Sequence, residues 1–293
     1  MQSMQQEERE VCIPTNCFHL PYTLACGQCF RWEQVEGVDN EFIGVIHDRV
    51  LKIRQFGDNI YVKSSCYDQL EAVVSNYFDL ATPYEKIEEE ISKIDDHVKQ
   101  AVQNTSGIHI LNQSFFETLL SFIISANNNI PRITKTIAML SKRYGTKVMF
   151  EGKEYYLFPT ALQLEHVTEE EFRECGTGFR ARYLVHTVQD MLQGKLKDTL
   201  RDSWDTDTLK KQLMTLQGVG EKVADCILLF SCQRKEVFPV DVWVERVMSL
   251  LYFKENKGAM KKKEIITFAQ KRFGNYAGIV QQHLFYNIRE SMI

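Results

Sequence analysis

The sequence has no apolar run of the roughly 18 residues needed to span a bilayer. It opens on a polar, acidic stretch, Met1 to Glu10, so nothing at its start reads as a secretory signal. Without an export signal, a chain this long is not expected to use its eight cysteines as a disulfide framework, and an intracellular, non-secreted protein is expected. A single CxxC occurs, Cys26 to Cys29. No second CxxC and no His-x₃₋₅-His accompanies it, which leaves a zinc site short of ligands. A redox pair would want a thioredoxin-like βαβ setting, which this region lacks. Four closely spaced cysteines near the C-terminus are also missing, so no iron–sulfur cluster is expected there. Cys26 and Cys29 read instead as small packed residues. Repeats and low-complexity linkers are absent.

The chain also lacks a basic excess. Its 35 Lys+Arg stand against 39 Asp+Glu, a net −4 that taken alone argues against a nucleic-acid partner. The two parts of the chain differ, however. Residues 1–110 hold 9 basic and 18 acidic residues, for −9, and residues 111–293 hold 26 and 21, for +5. The second part can face an anionic partner.

What is present is an ordinary globular composition, 44% apolar and 25% charged over 293 residues. That length suits one large domain or two to three small ones. Residues 11–65 read as β. Glu41 to Ile46, Arg49 to Ile53 and Asn59 to Lys63 are strand-like runs, broken at His47-Asp48 and at Gly57-Asp58, which suggests an antiparallel meander. Leu70, Val73, Val74, Tyr77 and Phe78 recur at helical spacing. From about residue 112 the pattern is almost entirely helical, and Phe115 to Ile124 is apolar nearly all round, as in a central core helix. The expected class is α+β. An N-terminal unit with a twisted antiparallel sheet occupies 1–110, and a larger all-helical region occupies 111–293.

The most informative stretch is Leu216-Gln-Gly-Val-Gly-Glu-Lys-Val-Ala-Asp225. A helix ends at Leu216, Gly218 and Gly220 permit a tight turn with positive φ, and a second helix starts near Glu221. This is a helix–hairpin–helix, spanning about 206–232. Backbone N–H groups at the start of its second helix form a phosphate site that carries no base sequence information. Lys222 lies just inside that helix, and Pro239-Val-Asp241 follows. A lysine amine can attack a sugar C1′ and form a Schiff base, provided it is deprotonated. A carboxylate can stabilise positive charge developing at that carbon. Taken singly, Lys222 also reads as a phosphate-contacting lysine, and Asp241 as the N-cap of the helix carrying Trp243 and Val247.

With these residues in view, the chain resembles the 8-oxoguanine DNA glycosylase/lyases of the Ogg family, within the helix–hairpin–helix DNA glycosylase superfamily. The likeness covers roughly residues 11–290. It rests on Gly27 to Trp32 (Gly-Gln-Cys-Phe-Arg-Trp), Asn127 to Arg132 (Asn-Asn-Asn-Ile-Pro-Arg), Gly178 to Tyr183 (Gly-Phe-Arg-Ala-Arg-Tyr), the hairpin through Cys226, and Tyr276 to Phe285. The resemblance implies that the flipped base meets the Gly27 carbonyl, which accepts from the N7 hydrogen of 8-oxoguanine and repels the bare N7 of guanine. It implies that Cys226 and Phe285 sandwich the base and that Gln281 reads its Watson–Crick edge. Asn127 and Arg132 would attend to the widowed cytosine, whose adjacent O2 and N3 suit an arginine's paired donors. Phe179 would be the wedge that enters the stack. Arg180 and Arg182 would hold phosphates or stand as solvated helix charges, and Gly218, Val219 and Gly220 would meet the DNA backbone.

The resemblance further implies a bifunctional enzyme with Lys222 as nucleophile and Asp241 as stabiliser. It requires no catalytic metal or organic cofactor, though hairpin carbonyls can hold a structural monovalent cation. The expected partner is duplex DNA containing 8-oxoguanine, with no membrane, and the expected state is a monomer. Some positions depart from the family. Phe179 stands where tyrosine is usual, Trp243 where a phosphate-contacting histidine is common, and Phe230 in place of a flexible methionine, departures that bear on the preference for cytosine opposite the lesion. Alternatives are a glycosylase of this fold acting on another damaged purine, against which Lys222 counts, and a non-catalytic DNA-binding hairpin protein, which leaves Lys222, Asp241, Gly27 and Gln281 unaccounted for.

Overall fold

The computed structural model describes residues 9–196, 198–253 and 261–291, so the start of the acidic leader lies outside the described residues. Strands β1 (Val11–Pro14), β2 (Trp32–Gln34), β3 (Glu41–Ile46), β4 (Arg49–Phe56) and β5 (Asn59–Ser64) form one antiparallel sheet in the order β1-β5-β4-β3-β2. The expected turns close it, with His47 and Gly57 both at positive φ. Because Ile53 pairs with Val62, the period-2 alternation puts Leu51, Ile53, Ile60 and Val62 on one buried face. Helices α1 (Leu20–Ala25) and α2 (Leu70–Tyr77) cover that face through Leu20, Leu24, Leu70, Val74 and Tyr77.

Ten-residue-scale helices then succeed one another: α3 (Tyr84–Ile91), α4 (Asp96–Thr105), α5 (Phe115–Ser125), α6 (Ile130–Tyr144), α7 (Glu169–Glu174) and α8 (Ala181–Leu192). After them come α9 (Asp198–Ser203), α10 (Thr206–Leu213), α11 (Glu221–Ser231), α12 (Val242–Tyr252), α13 (Lys262–Phe273) and α14 (Ala277–Ser291). As its all-round apolarity predicts, α5 is central: Leu119, Leu120, Phe122, Ile123 and Ile124 are buried, and it packs on α11.

The apolar cores cross residue 110. Tyr84, Ile87, Ile91 and Val98 on α3 and α4 belong to the large helical core, and Leu111 belongs to the core beneath the sheet. Amphipathic helices pack where an apolar face is offered, whatever their place in the chain, and α4 lies along α14. The helical region also holds one element that periodicity missed, a hairpin of β6 (Lys147–Phe150) and β7 (Lys153–Tyr156). Its signal was the Glu151-Gly152 pair, both at positive φ, a two-residue turn matched to strand twist.

Candidate active site and DNA-facing surface

α11 repeats Lys222, Cys226 and Phe230 at intervals of four residues, so all three share one helix face. That face looks into a cavity of about 470 Å³, to which α1 and its following loop bring Cys26, Gly27 and Phe30, and α14 brings Gln281 and Phe285. Asp241 enters from the start of α12. The residues expected for catalysis and for the base pocket are thus gathered from four separated segments into one cavity.

Each is held by identifiable contacts. Asp241 caps α12, accepting from Val244 N–H at 2.8 Å, which aims the carboxyl group along the cavity wall. Lys222 is half-buried, with its ammonium nitrogen 5.1 Å from the centre of the Phe122 ring. Phe122 is itself stacked on Phe230 at 5.6 Å and meets Phe30 edge-on at 5.5 Å, so three rings floor the cavity. Burial pushes the Cys226 thiol up to about 11, against the opposing charge of Lys222 beside it, and the thiol therefore stays neutral. Gln281 is buried and accepts from Gln282 Nε2 at 2.7 Å.

Gly27 has φ +87°, whereas a Cβ placed on it would meet Phe285 Cε1 at an ordinary 3.8 Å. The left-handed backbone, rather than close approach, is what calls for glycine there. The next residue supplies what the sequence reading missed. Gln28 is fully buried, and its amide donates to the carbonyls of Thr23 and His109, both at 2.8 Å, and accepts from Leu111 N–H at 2.9 Å. These bonds clamp the Gly27 loop to the strand-like segment ahead of α5. The neighbouring CxxC behaves as packing: both thiols are free, and burial raises each, Cys26 to about 12.

The hairpin runs from α10 to α11, with the first helix ending at Leu213, three residues before the expected Leu216. Gly218 has φ +82°, as expected, but Gly220 is extended at φ −93°, so the turn needs left-handed glycine once. The Val219 N–H donates to Leu216 O at 3.2 Å and its side chain is buried, which takes it out of the expected phosphate contacts. The first helical bond of α11 is Ala224 N–H to Gly220 O at 2.9 Å. The N–H groups of Glu221, Lys222 and Val223 therefore have no intrahelical acceptor, and open space surrounds Gly220. Lys210 locks the two helices together, 2.8 Å from the buried Asp225 carboxylate.

The remaining expected residues lie outside the cavity. Phe179 is 55% exposed at the tip of a 3₁₀ turn, Gly178–Arg180. Arg132 and Asn127 are exposed, and Asn127 sits at φ +51°. The three asparagines divide their work. Asn128 donates to the Ile124 carbonyl at 3.1 Å, closing α5, and Asn129 caps α6 by accepting from Arg132 N–H at 3.0 Å. Arg180 differs from both expectations. It is buried, and its guanidinium donates to the carbonyls of Ala126 at 2.8 Å, Asn127 at 2.9 Å and Thr177 at 3.3 Å. It braces the Asn127 loop from within and lies under the Phe179 ring, 4.4 Å from its centre. Arg182 is exposed and rests on Tyr183.

A hairpin with free N–H groups at the start of its second helix, beside a cavity that holds a lysine and a carboxylate, is the frame of a DNA base-removing enzyme. The comparisons agree with it. The family model described as 8-oxoguanine DNA glycosylase, N-terminal domain, matches residues 10–119, and that of the HhH-GPD superfamily base excision DNA repair protein matches 120–273. The Arabidopsis thaliana N-glycosylase/DNA lyase OGG1 is 30% identical over 91% of this chain and 76% of its own. Among solved structures, MBOgg1 in complex with a low affinity DNA ligand is 36% identical, with TM-score 0.91 over 97% of this chain and 96% of that one. The Clostridium acetobutylicum 8-oxoguanine glycosylase/lyase, solved with duplex DNA containing cytosine opposite 8-oxoG, is 38% identical, with TM-score 0.89 over 97% and 99%. The chain belongs to the Ogg family of 8-oxoguanine DNA glycosylase/lyases, within the helix–hairpin–helix superfamily.

Proposed function

We propose that this protein excises 8-oxoguanine from duplex DNA and then cleaves the strand at the resulting abasic sugar. The observation that carries the reading is the convergence of Lys222, Asp241, Gly27, Cys226, Gln281 and Phe285 on one cavity. The cavity combines apolar faces with a few fixed polar groups, as a pocket for a flipped base requires. Cys226 and Phe285 take the base between them, Gln281 meets its pairing edge, and the Gly27 carbonyl accepts the N7 hydrogen that guanine lacks.

With the base held, the Lys222 amine forms a bond to C1′ while the bond from C1′ to the base breaks and its electron pair leaves with the base. The Asp241 carboxylate faces the positive charge that develops at the sugar. Opening of the sugar gives the Schiff base. Loss of a C2′ proton then expels the 3′ phosphate by β-elimination. Outside the cavity, Phe179 fills the gap in the stack, and Asn127 and Arg132 face the unpaired cytosine. The free N–H groups at the start of α11 take a phosphate. A structural monovalent cation suits the same turn, since the Leu213 and Leu216 carbonyls each accept one bond and keep a second lone pair. Among the described residues no helix is long and apolar enough to cross a membrane.

Borohydride trapping tests the reading on duplexes carrying 8-oxoguanine opposite each of the four bases. The expected result is a covalent protein–DNA adduct that disappears in Lys222→Gln. No adduct with any duplex would remove the lyase step.

A further inference from the structure

The cavity has an apolar mouth that none of the assigned roles uses. Trp243 and Ile130 both line it, yet are 50% and 53% exposed, so they stand at its opening. Large apolar groups left in water at the entrance to a pocket mark a surface that another molecule covers. Trp243 is the second residue of α12, two places after Asp241. Its ring carries the Arg246 guanidinium 5.3 Å from its centre, which orients the indole and places a positive charge over it. An indole has one donor and no charge, so it is a poor phosphate ligand and a good stacking face.

We propose that Trp243 is a substrate-contacting residue whose indole face closes the mouth of the cavity against the deoxyribose of the extruded nucleotide. This rests on the reading above that a nucleotide enters the cavity. The base goes inward, toward Cys226 and Phe285, and Asp241 is assigned to C1′. The side chain beside Asp241 at the rim therefore meets the sugar, whose apolar C–H face suits an aromatic ring. Such a contact exists only after the nucleotide has left the stack. It adds affinity for the extruded state alone and so favours damaged over intact duplex.

Binding measured in a Lys222→Gln background, where no base is released, tests this with three duplexes: one with 8-oxoguanine, one with a tetrahydrofuran abasic analogue, and one undamaged. Trp243→Ala is expected to weaken binding to the first two about tenfold, the scale of one lost stacking contact. Binding to the undamaged duplex stays within about twofold, and Trp243→Phe keeps most of the affinity for all three. Equal weakening on all three duplexes would make Trp243 a general DNA contact and overturn the proposal. Weakening on 8-oxoguanine alone would place the ring on the base, and no change at all would leave it as rim; either result also overturns it. If the parent protein binds the 8-oxoguanine duplex no better than the undamaged one, the lesion reading falls, while the ratio of abasic to undamaged binding still decides the role of Trp243.

Discussion

The Arg180 guanidinium donates to the Asn127 carbonyl at 2.9 Å, so an arginine beside the exposed Phe179 sets the backbone of the Asn127 loop. Phe179, stacked above the same guanidinium, is braced by it too. The Phe179 turn and the Asn127 loop are therefore one mechanical unit.

Arg180→Ala should cost about 2–3 kcal/mol in urea denaturation, the scale of hydrogen bonds from a charged donor whose acceptors are left unpaired. It should also flatten the preference for cytosine opposite the lesion. Lysine should not rescue it, because one ammonium cannot replace the planar fork that spans three carbonyls. Unchanged stability with a reduced salt dependence of DNA binding would return Arg180 to a phosphate role.

The hairpin glycines should separate cleanly. Gly218 combines φ +82° with a built Cβ only 2.6 Å from the Tyr183 ring, so Gly218→Ala should lower stability by more than about 1 kcal/mol and disturb the wedge segment behind it. Gly220 is extended and faces open space, so Gly220→Ala should leave the melting temperature nearly unchanged while weakening DNA binding. Thermal denaturation alongside filter binding would reveal both, and equal stability losses would refute the distinction.

Gln28→Leu keeps the volume but strips the amide's hydrogen bonds from a fully buried site, leaving the His109 carbonyl and the Leu111 N–H unpaired and the Thr23 carbonyl with only the Cys26 thiol. A loss of about 3 kcal/mol is expected, together with a smaller ratio of 8-oxoguanine to guanine excision, because the Gly27 carbonyl is no longer fixed. Retention of that ratio in the folded variant would show that Gly27 is held by other means.

His283 should make stability fall in acid. It is fully buried, and burial lowers its pKa to about 3. Its Nδ1–H donates to Thr105 Oγ1 at 2.7 Å, since that hydroxyl is itself donating to the Ala101 carbonyl. Glu88, 3.7 Å from Nε2, already accepts from Ser106 and Gly107. The folded value lies below the unfolded one, so this contribution is intact above pH 6.5 and is lost as pH falls toward 3. About 2 kcal/mol should disappear between pH 6.5 and 5, and His283→Gln should flatten that slope in urea titrations.

Much of this protein is written locally. The strands at 41–46, 49–56 and 59–64, the central α5 and the hairpin follow from alternation, apolar periodicity and turn chemistry, which act over a few residues. The identities of the cavity residues were legible through the family resemblance, because most of them sit in the segments that carry it. Their meeting was not. Gly27 and Phe285 lie at opposite ends of the chain, and only the tertiary packing that lays α14 along α4 brings them to one cavity.

Roles that depend on a distant partner were decided by the tertiary structure. Arg180 looked like a charge for solvent or phosphate until its carbonyl acceptors, more than fifty residues away for Ala126 and Asn127, were in place. Val219 spends its N–H on an internal turn bond, and Gln28 becomes a clamp through segments 81 and 83 residues distant. Chemistry is a property of a side chain and can be read from sequence. Whether a polar group is free to use that chemistry depends on which groups satisfy it once it is buried, and that is settled only when remote segments pack together.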